Sequence, residues 1–99
     1  MIWTDTLQLR PRTAETPYGP SWGAAVSWRA RVEHTQKRVM TDTGEEVTAS
    51  LLALLEPAAS VRPGDRATWN GVDYQVVSVE PLRCWRRVHH LECYLTEAA

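Results

Sequence analysis

The chain has 99 residues, of which 43% are hydrophobic and 23% are charged, enough for one small globular domain. Its 11 basic and 12 acidic residues give a net charge of -1, which argues against a general nucleic-acid binder, normally strongly basic. No apolar run approaches the roughly 20 residues of a membrane span, and the first residues do not resemble a signal peptide. We therefore expect a protein made and kept in a cytoplasm, without a membrane partner.

The two cysteines, Cys84 and Cys93, are too few for a disulfide framework and are predicted to be free thiols. His89, His90 and Glu92 lie between them, but the C-x-x-C spacing of structural zinc sites is missing. We expect no metal and no cofactor, with Cys93 filling a core position.

The first two predicted strands show apolar and polar residues in alternation, as a half-buried strand requires. Residues 5–9 place two leucines on one face, and residues 26–33 show the longest such alternation. Residues 11–23, with three prolines and two glycines, predict a long loop between these strands. Within it, Tyr18 and Trp22 either pack over the end of the domain, which we favour, or form exposed contacts.

Residues 34–46 form a polar segment with only two clearly apolar side chains. Its Thr41-Asp42-Thr43-Gly44 run has turn chemistry. The segment predicts a long polar loop or an extended, poorly covered hairpin tip, and loops of this length in compact domains tend to be functional.

Residues 47–55 fit either a strand or a helix, because leucines and alanines occupy both patterns. Polar residues in the alternate phase and Pro57 at the end favour a strand. Leu52 and Leu54 would then lie on its outer face, where exposed leucines predict a covered surface such as a subunit interface.

The next predicted feature is a hairpin centred on Asn70-Gly71, because a type I′ turn needs positive φ at both central positions. Broken alternation predicts a bulge near residues 76–77, and Pro81 is expected to end the strand.

In the last predicted strand, His89, Leu91, Cys93 and Leu95 form the inner phase, and Val88, His90, Glu92 and Tyr94 the outer one. Neighbouring residues of a strand point to opposite faces, so the two histidines should not share a pocket. No phosphate loop or G-x-S-x-G motif is present, and we predict no enzyme activity.

A basic and aromatic group precedes this strand, comprising Arg83, Trp85, Arg86 and Arg87. Such a group binds single-stranded nucleic acid by stacking or serves as a hot spot for a protein partner. The near-neutral charge of the chain favours the protein partner.

About six strands joined by hairpins, with little or no helix, predict an all-β protein. Short sheets of this kind remove their edges by closing into a barrel or by folding into a small sandwich, and we expect one small antiparallel β-barrel domain over residues 1–99, with long loops.

The order of these features resembles the small head-completion, or head–tail connector, proteins of long-tailed bacteriophages, of the stopper (head-closure) type. The resemblance rests on a polar loop after a Trp-bearing strand, then an apolar strand ending in proline, Pro63-Gly64-Asp65, the W-N-G-V-D-Y-Q-V-V-S-V hairpin from Trp69, and the H-L-E-C-Y-L strand from His90. It covers nearly the whole chain. Adaptors and tail terminators of the phage neck are similar in size and remain alternatives.

The resemblance implies a structural role in the virion neck, after assembly in the bacterial host. Such proteins form a homo-oligomeric ring below the portal and its adaptor, close the head around double-stranded DNA, and dock the tail. The channel-lining loop implied here comprises His34, Thr35, Gln36, Lys37, Arg38, Val39, Met40, Thr41, Asp42, Thr43, Gly44, Glu45 and Glu46. Candidate interface residues are Leu52, Leu54, Trp85, Arg86 and Arg87. The rival hypothesis is an OB-like barrel that binds single-stranded nucleic acid.

Overall fold

The computed structural model describes residues 2–41 and 43–98, and within these ranges it contains strands and no helix. The eight strands are β1 (Asp5–Arg10), β2 (Arg12–Thr16), β3 (Gly19–Trp22), β4 (Val26–Met40), β5 (Glu46–Leu55), β6 (Arg66–Trp69), β7 (Val72–Cys84) and β8 (Arg87–Glu97).

Six of these strands form a closed antiparallel barrel in the order β1-β4-β5-β8-β7-β6. The barrel closes because β1 pairs with β4 on one side and with β6 on the other. Closure satisfies the backbone groups that an open sheet would expose at its edges. The predicted fold class, a small all-β barrel with about six strands, is confirmed.

The barrel interior is filled by the apolar phases of its strands. The largest fully buried side chains are Leu7, Leu51, Leu55, Val76, Cys93 and Leu95. Burial, with a smaller contribution from the charge of Asp65, raises the pKa of the Cys93 thiol to about 12. Cys93 is therefore a neutral core residue, as predicted, and both cysteines are free thiols.

The segment predicted as a loop over residues 11–23 is instead a separate hairpin formed by β2 and β3. Pro20 occurs within β3, which has only one strand neighbour, so its missing N–H costs no ladder bond with a second strand. Trp22 packs as predicted, since its ring lies 4.1 Å from the Arg66 guanidinium and its indole N–H donates to the Gly64 carbonyl at 3.2 Å. Tyr18 does not pack and is fully exposed at the tip.

The polar segment at residues 34–46 is an extended hairpin rather than a loop. β4 continues to Met40, and β5 begins at Glu46. Pairing with residues 46–49 of β5 supplies backbone hydrogen bonds that do not depend on apolar side chains. Of the two interpretations left open, the hairpin is the observed one. Asp42 lies outside the described residues.

Pro81 does not end its strand, since β7 continues to Cys84. β7 pairs with β6 only through residues 72–75, so its later part has β8 as a partner on one side. Proline is tolerated in an edge strand, where its missing N–H faces away from the ladder. The predicted bulge is present, with a register shift between Val76 and Ser78.

The Asn70-Gly71 turn is confirmed, with φ of 50° and 77° at the two positions. We expect Gly71→Val to lower the free energy of unfolding by about 1–3 kcal/mol, because a β-branched residue is strained at positive φ. Steric overlap does not contribute to the expected destabilisation, since a Cβ at position 71 meets no atom within 4 Å. Thermal unfolding measures the effect, and Gly71→Asn, which tolerates positive φ, is the control. Equal stability of all three proteins would contradict the turn assignment.

Candidate assembly surfaces

Two long hairpins extend from opposite ends of the molecule. β5 and β8 pair from Leu51–Leu95 at one end to Leu55–Leu91 at the other. The β4–β5 hairpin continues beyond the first pair, and the β7–β8 hairpin continues beyond the second. The longest dimension of the molecule is 43 Å, against 28 and 26 Å for the others. The fold therefore presents two separate projections on one rigid barrel.

The first projection, here called the arm, comprises residues 37–49, beyond a bulge between His34 and Lys37 in β4. A second small core holds its base, formed by Val39, Ala49, Val77 and Tyr94. Val39 is only 8% exposed, although its neighbours in β4 are exposed. The base of the arm is therefore anchored by apolar packing that the polar sequence does not suggest.

Lys37 is held against the barrel by Tyr94. Its ammonium group donates to the tyrosine hydroxyl at 3.0 Å and lies 4.6 Å from the ring centroid. The hydrogen bond with Tyr94 is the main cause that raises the pKa of Lys37 above its usual value. Lys37 thus has an intramolecular partner, whereas Arg38 next to it is exposed.

The outer part of the arm is polar and exposed. The Thr41 N–H donates to the Glu45 carbonyl at 2.7 Å, and the Gly44 N–H donates to the Thr41 carbonyl at 3.0 Å. Gly44 has φ of 89°, which a residue with a side chain adopts only with strain. Met40 is 64% exposed beside this turn. The turn therefore offers polar groups and one apolar side chain to a neighbour.

The remaining residues of the predicted channel segment lie at the bulge or at the start of β5. His34 contacts Trp69 edge-on, with ring centroids 6.0 Å apart. Thr35 and Gln36 occupy the bulge, and Glu46 is exposed. The channel role of the segment stays a prediction.

Leu52 and Leu54 lie on the outer face of β5 but are half-buried rather than exposed. Leu52 pairs with Tyr94 across the strands and packs against the second core. Leu54 lies between Arg31 and Glu92 in neighbouring strands. Their interface role stays a prediction, and a charged residue at position 52 would also disturb the domain itself.

The second projection, here called the Trp85 tip, comprises residues 82–89 of the β7–β8 hairpin. Trp85 is 97% exposed, and Leu82 is 46% exposed. Arg83, Arg86 and Arg87 are also exposed, so the predicted basic and aromatic group occurs as one surface. Trp85 has φ of 60°, an unusual conformation for a residue with a bulky side chain.

The two histidines of β8 are in contact, contrary to the prediction from alternation. Their Nδ1 atoms lie 2.8 Å apart, and His90 Nε2 lies 3.3 Å from a Glu92 oxygen. A register shift between Leu82 and Arg83 leaves His89 unpaired and brings it onto the face of His90, which keeps its register with Glu92. His89 is exposed and His90 is buried. Of the residues predicted to face the interior, Cys93 and Leu95 are buried, whereas His89 is exposed.

Asp65 is the important polar residue that the sequence analysis treated only as part of a turn. Its side chain is buried, and its two oxygens accept the Arg12 N–H at 3.0 Å and the Arg62 N–H at 2.9 Å. Its own carbonyl accepts the Val76 N–H at 2.9 Å. One carboxylate therefore joins the β2–β3 hairpin and the turn before β6 to the barrel.

Within the residues described, no cluster of three or more His, Cys, Asp or Glu side chains has the geometry to hold a metal ion. Over the same residues, no helix is long and apolar enough to cross a membrane.

The fold is similar to that of protein xkdH of the phage-like element PBSX from Bacillus subtilis. The two structures superpose with a TM-score of 0.56 at 20% sequence identity, over 94% of this chain and 92% of xkdH. No protein-family model matches the chain, and no curated protein sequence is similar to it. The similarity to xkdH therefore establishes a shared fold over nearly the full length of both proteins.

Proposed function

We propose that this protein is a phage head–tail connector of the head-completion (stopper) type. It forms a ring below the portal and its adaptor, closes the DNA-filled head with its arms, and docks the tail. The observation that carries the proposal is one rigid barrel with two long hairpins extending from opposite ends. A connector needs this geometry, because each subunit contacts one neighbour on the head side and another on the tail side.

The shared fold with a protein of a phage-like element supports the assignment to a phage particle. A second support is the structure of the arm. In a cyclic ring, any inward projection is repeated around the axis, so the exposed Arg38, Thr43, Glu45 and Glu46 of every subunit would converge there. Weak contacts from many copies then close a channel without one tight contact per chain.

The experiment is reconstitution on the portal and adaptor complex of the phage or prophage that encodes this chain. Free protein is expected to sediment as a monomer or weak oligomer, because its small core gives modest stability and its assembly surface is completed by a partner. Added to the complex, it should form a ring visible by electron microscopy. Matched heads that lack the protein should lose DNA and fail to attach tails. Intact, tailed heads without the protein would contradict the proposal.

A further inference from the structure

The Trp85 tip groups two exposed apolar side chains, Leu82 and Trp85, on one hairpin. Trp85 lines a shallow, mostly apolar concavity together with Cys84, Arg86, Arg87, Val88 and His89. Isolated exposed apolar residues are common, but a large aromatic residue grouped with others marks an interaction site. Burying Trp85 against a partner would remove most of this apolar area from water.

The backbone at Trp85 shows that the residue is not there to stabilise the turn. A φ of 60° suits glycine or asparagine, and tryptophan at that position carries a local conformational cost. The side chain makes no compensating burial within the subunit, since it is 97% exposed. Burial of this side chain within the subunit therefore does not offset the cost, whereas burial against a partner would.

The charge around Trp85 defines the chemistry of the partner. Residues 81–91 contain three arginines and no acidic residue. Tryptophan and arginine dominate the binding energy of protein interfaces, where a central aromatic residue fills a pocket and charged groups surround it. The matching surface is an apolar pocket with acidic residues at its rim.

The two other concavities on the described residues match this surface poorly, which disfavours a second copy of this chain as the partner. The cleft beside the arm has Glu45 on its wall, but Arg12 lies there too and most of its lining surface is polar, so it lacks the apolar centre that Trp85 requires. The shallow depression at His34, Gln36 and Ser50 contains no acidic residue. Single-stranded nucleic acid is also a poorer match, because it needs successive aromatic platforms and Trp85 is the one exposed aromatic on the described β7–β8 hairpin.

We propose that the Trp85 tip is the anchor by which this subunit docks into an acidic-rimmed apolar pocket on a different protein of the particle. Trp85 enters the pocket, and Arg83, Arg86 and Arg87 pair with the acidic rim. The inference rests on the proposed connector function and names the surface that reaches one of its neighbours.

Cys84 provides a reporter inside the tip. Its thiol is exposed, whereas Cys93 is buried and has a raised pKa, so a maleimide labels Cys84 alone in the folded protein. We expect labelling of Cys84 to be at least about tenfold slower in purified particles than in the free protein, because docking excludes the reagent. Particles that contain the protein and label at the free rate would overturn the docking inference alone. Particles without the protein would overturn the connector function and the inference with it.

Variants of the tip test which residues carry the affinity. The binding assay adds the protein to heads that lack it. The concentration of the Trp85→Ala variant that half-saturates these heads should be about 30-fold higher than that of the parent, which is the effect expected for a hot-spot residue. Arg86→Glu with Arg87→Glu should slow association and weaken its salt dependence. Tyr18→Ala, which removes an equally exposed aromatic from the β2–β3 tip, is the matched control and should bind like the parent. Equal binding by Trp85→Ala would overturn the anchor role.

Three conditions separate the other possible occupants of the tip. Cys84 should stay reactive when the purified protein is concentrated alone and when a single-stranded oligonucleotide or duplex DNA is added. Protection that rises with the concentration of the free protein would assign the tip to a second copy. Protection by either DNA would assign it to nucleic acid. Each result would overturn docking to another protein of the particle.

Discussion

Removing the outer arm should produce heads that accept this protein but lose packaged DNA. The change replaces residues 40–46 with Asn-Gly, so that a two-residue turn connects Val39 to Val47. Val39 and Val47 pair in the parent hairpin. Thr41 and Glu45, two residues closer to the tip, form a backbone hydrogen bond. Because hydrogen-bonded pairs alternate along an antiparallel ladder, Val39 and Val47 are also a hydrogen-bonded pair. A two-residue type I′ turn therefore fits.

The shortened arm keeps the contacts that stabilise the domain. Lys37 still reaches Tyr94, and Val39 stays in the second core. We expect the free energy of unfolding to change by less than about 1 kcal/mol, because shorter surface hairpins cost little loop entropy. Nuclease-protected DNA per particle should fall severalfold, since the proposed ring would lose the contacts nearest its axis from every subunit.

The variant Glu45→Gln with Glu46→Gln keeps the length of the arm and removes two negative charges. It therefore separates the effect of arm length on DNA retention from the effect of charge. If length closes the channel, this variant should retain DNA as the parent does. If it leaks like the shortened arm, the acidic side chains matter instead. Full DNA retention by the shortened arm would remove the gating role and leave the protein as a spacer between head and tail.

Loss of the Asp65 carboxylate should cause the largest stability change of any single polar substitution considered for this protein. Asp65→Ala leaves the N–H groups of Arg12 and Arg62 without their acceptor in a partly buried setting. Hydrogen bonds to a charged group contribute about 1.5–3 kcal/mol each, so we expect a loss of about 3 kcal/mol. In a domain of this size the midpoint of thermal unfolding should fall by roughly 12–24 °C.

Two variants control this measurement. Asp65→Asn keeps the shape but replaces one accepting oxygen with an NH₂ group, so its loss should be intermediate. Asp73→Ala removes an exposed carboxylate that accepts one hydrogen bond from Thr68 at 2.7 Å, and should cost less than about 1 kcal/mol. If Asp65→Ala melts within a few degrees of the parent, the carboxylate does not join the hairpin to the barrel.

Local residue chemistry determined the features that depend on few neighbours. Asn70-Gly71 predicted its turn because positive φ is a property of those two residues. Alternation over residues 26–33 and 47–55 predicted strands and their inner faces, because one side of each strand must be buried. The all-β class and the small barrel followed from the number of such strands in so short a chain.

Where the sequence left two interpretations open or predicted wrongly, the residues concerned depend on distant partners. Residues 34–40 are polar, yet they form a strand because β5 pairs with them and because Val77 and Tyr94, far along the chain, cover Val39. Pro81 stays within a strand because β7 has no neighbour on one side there, a fact set by the barrel and not by the sequence around it.

Phase and burial of the candidate site residues were likewise decided by the tertiary structure. A bulge opposite Leu82 and Arg83 brought His89 onto the face of His90, and the alternation of residues 88–95 did not predict that bulge. Sequence composition alone identified the arginines and Trp85 as one group, but only the paired strands of β7 and β8 placed them at the end of the molecule opposite the arm. The separation of the two projections is a property of the closed barrel, because register in a closed sheet is set by all six strands together.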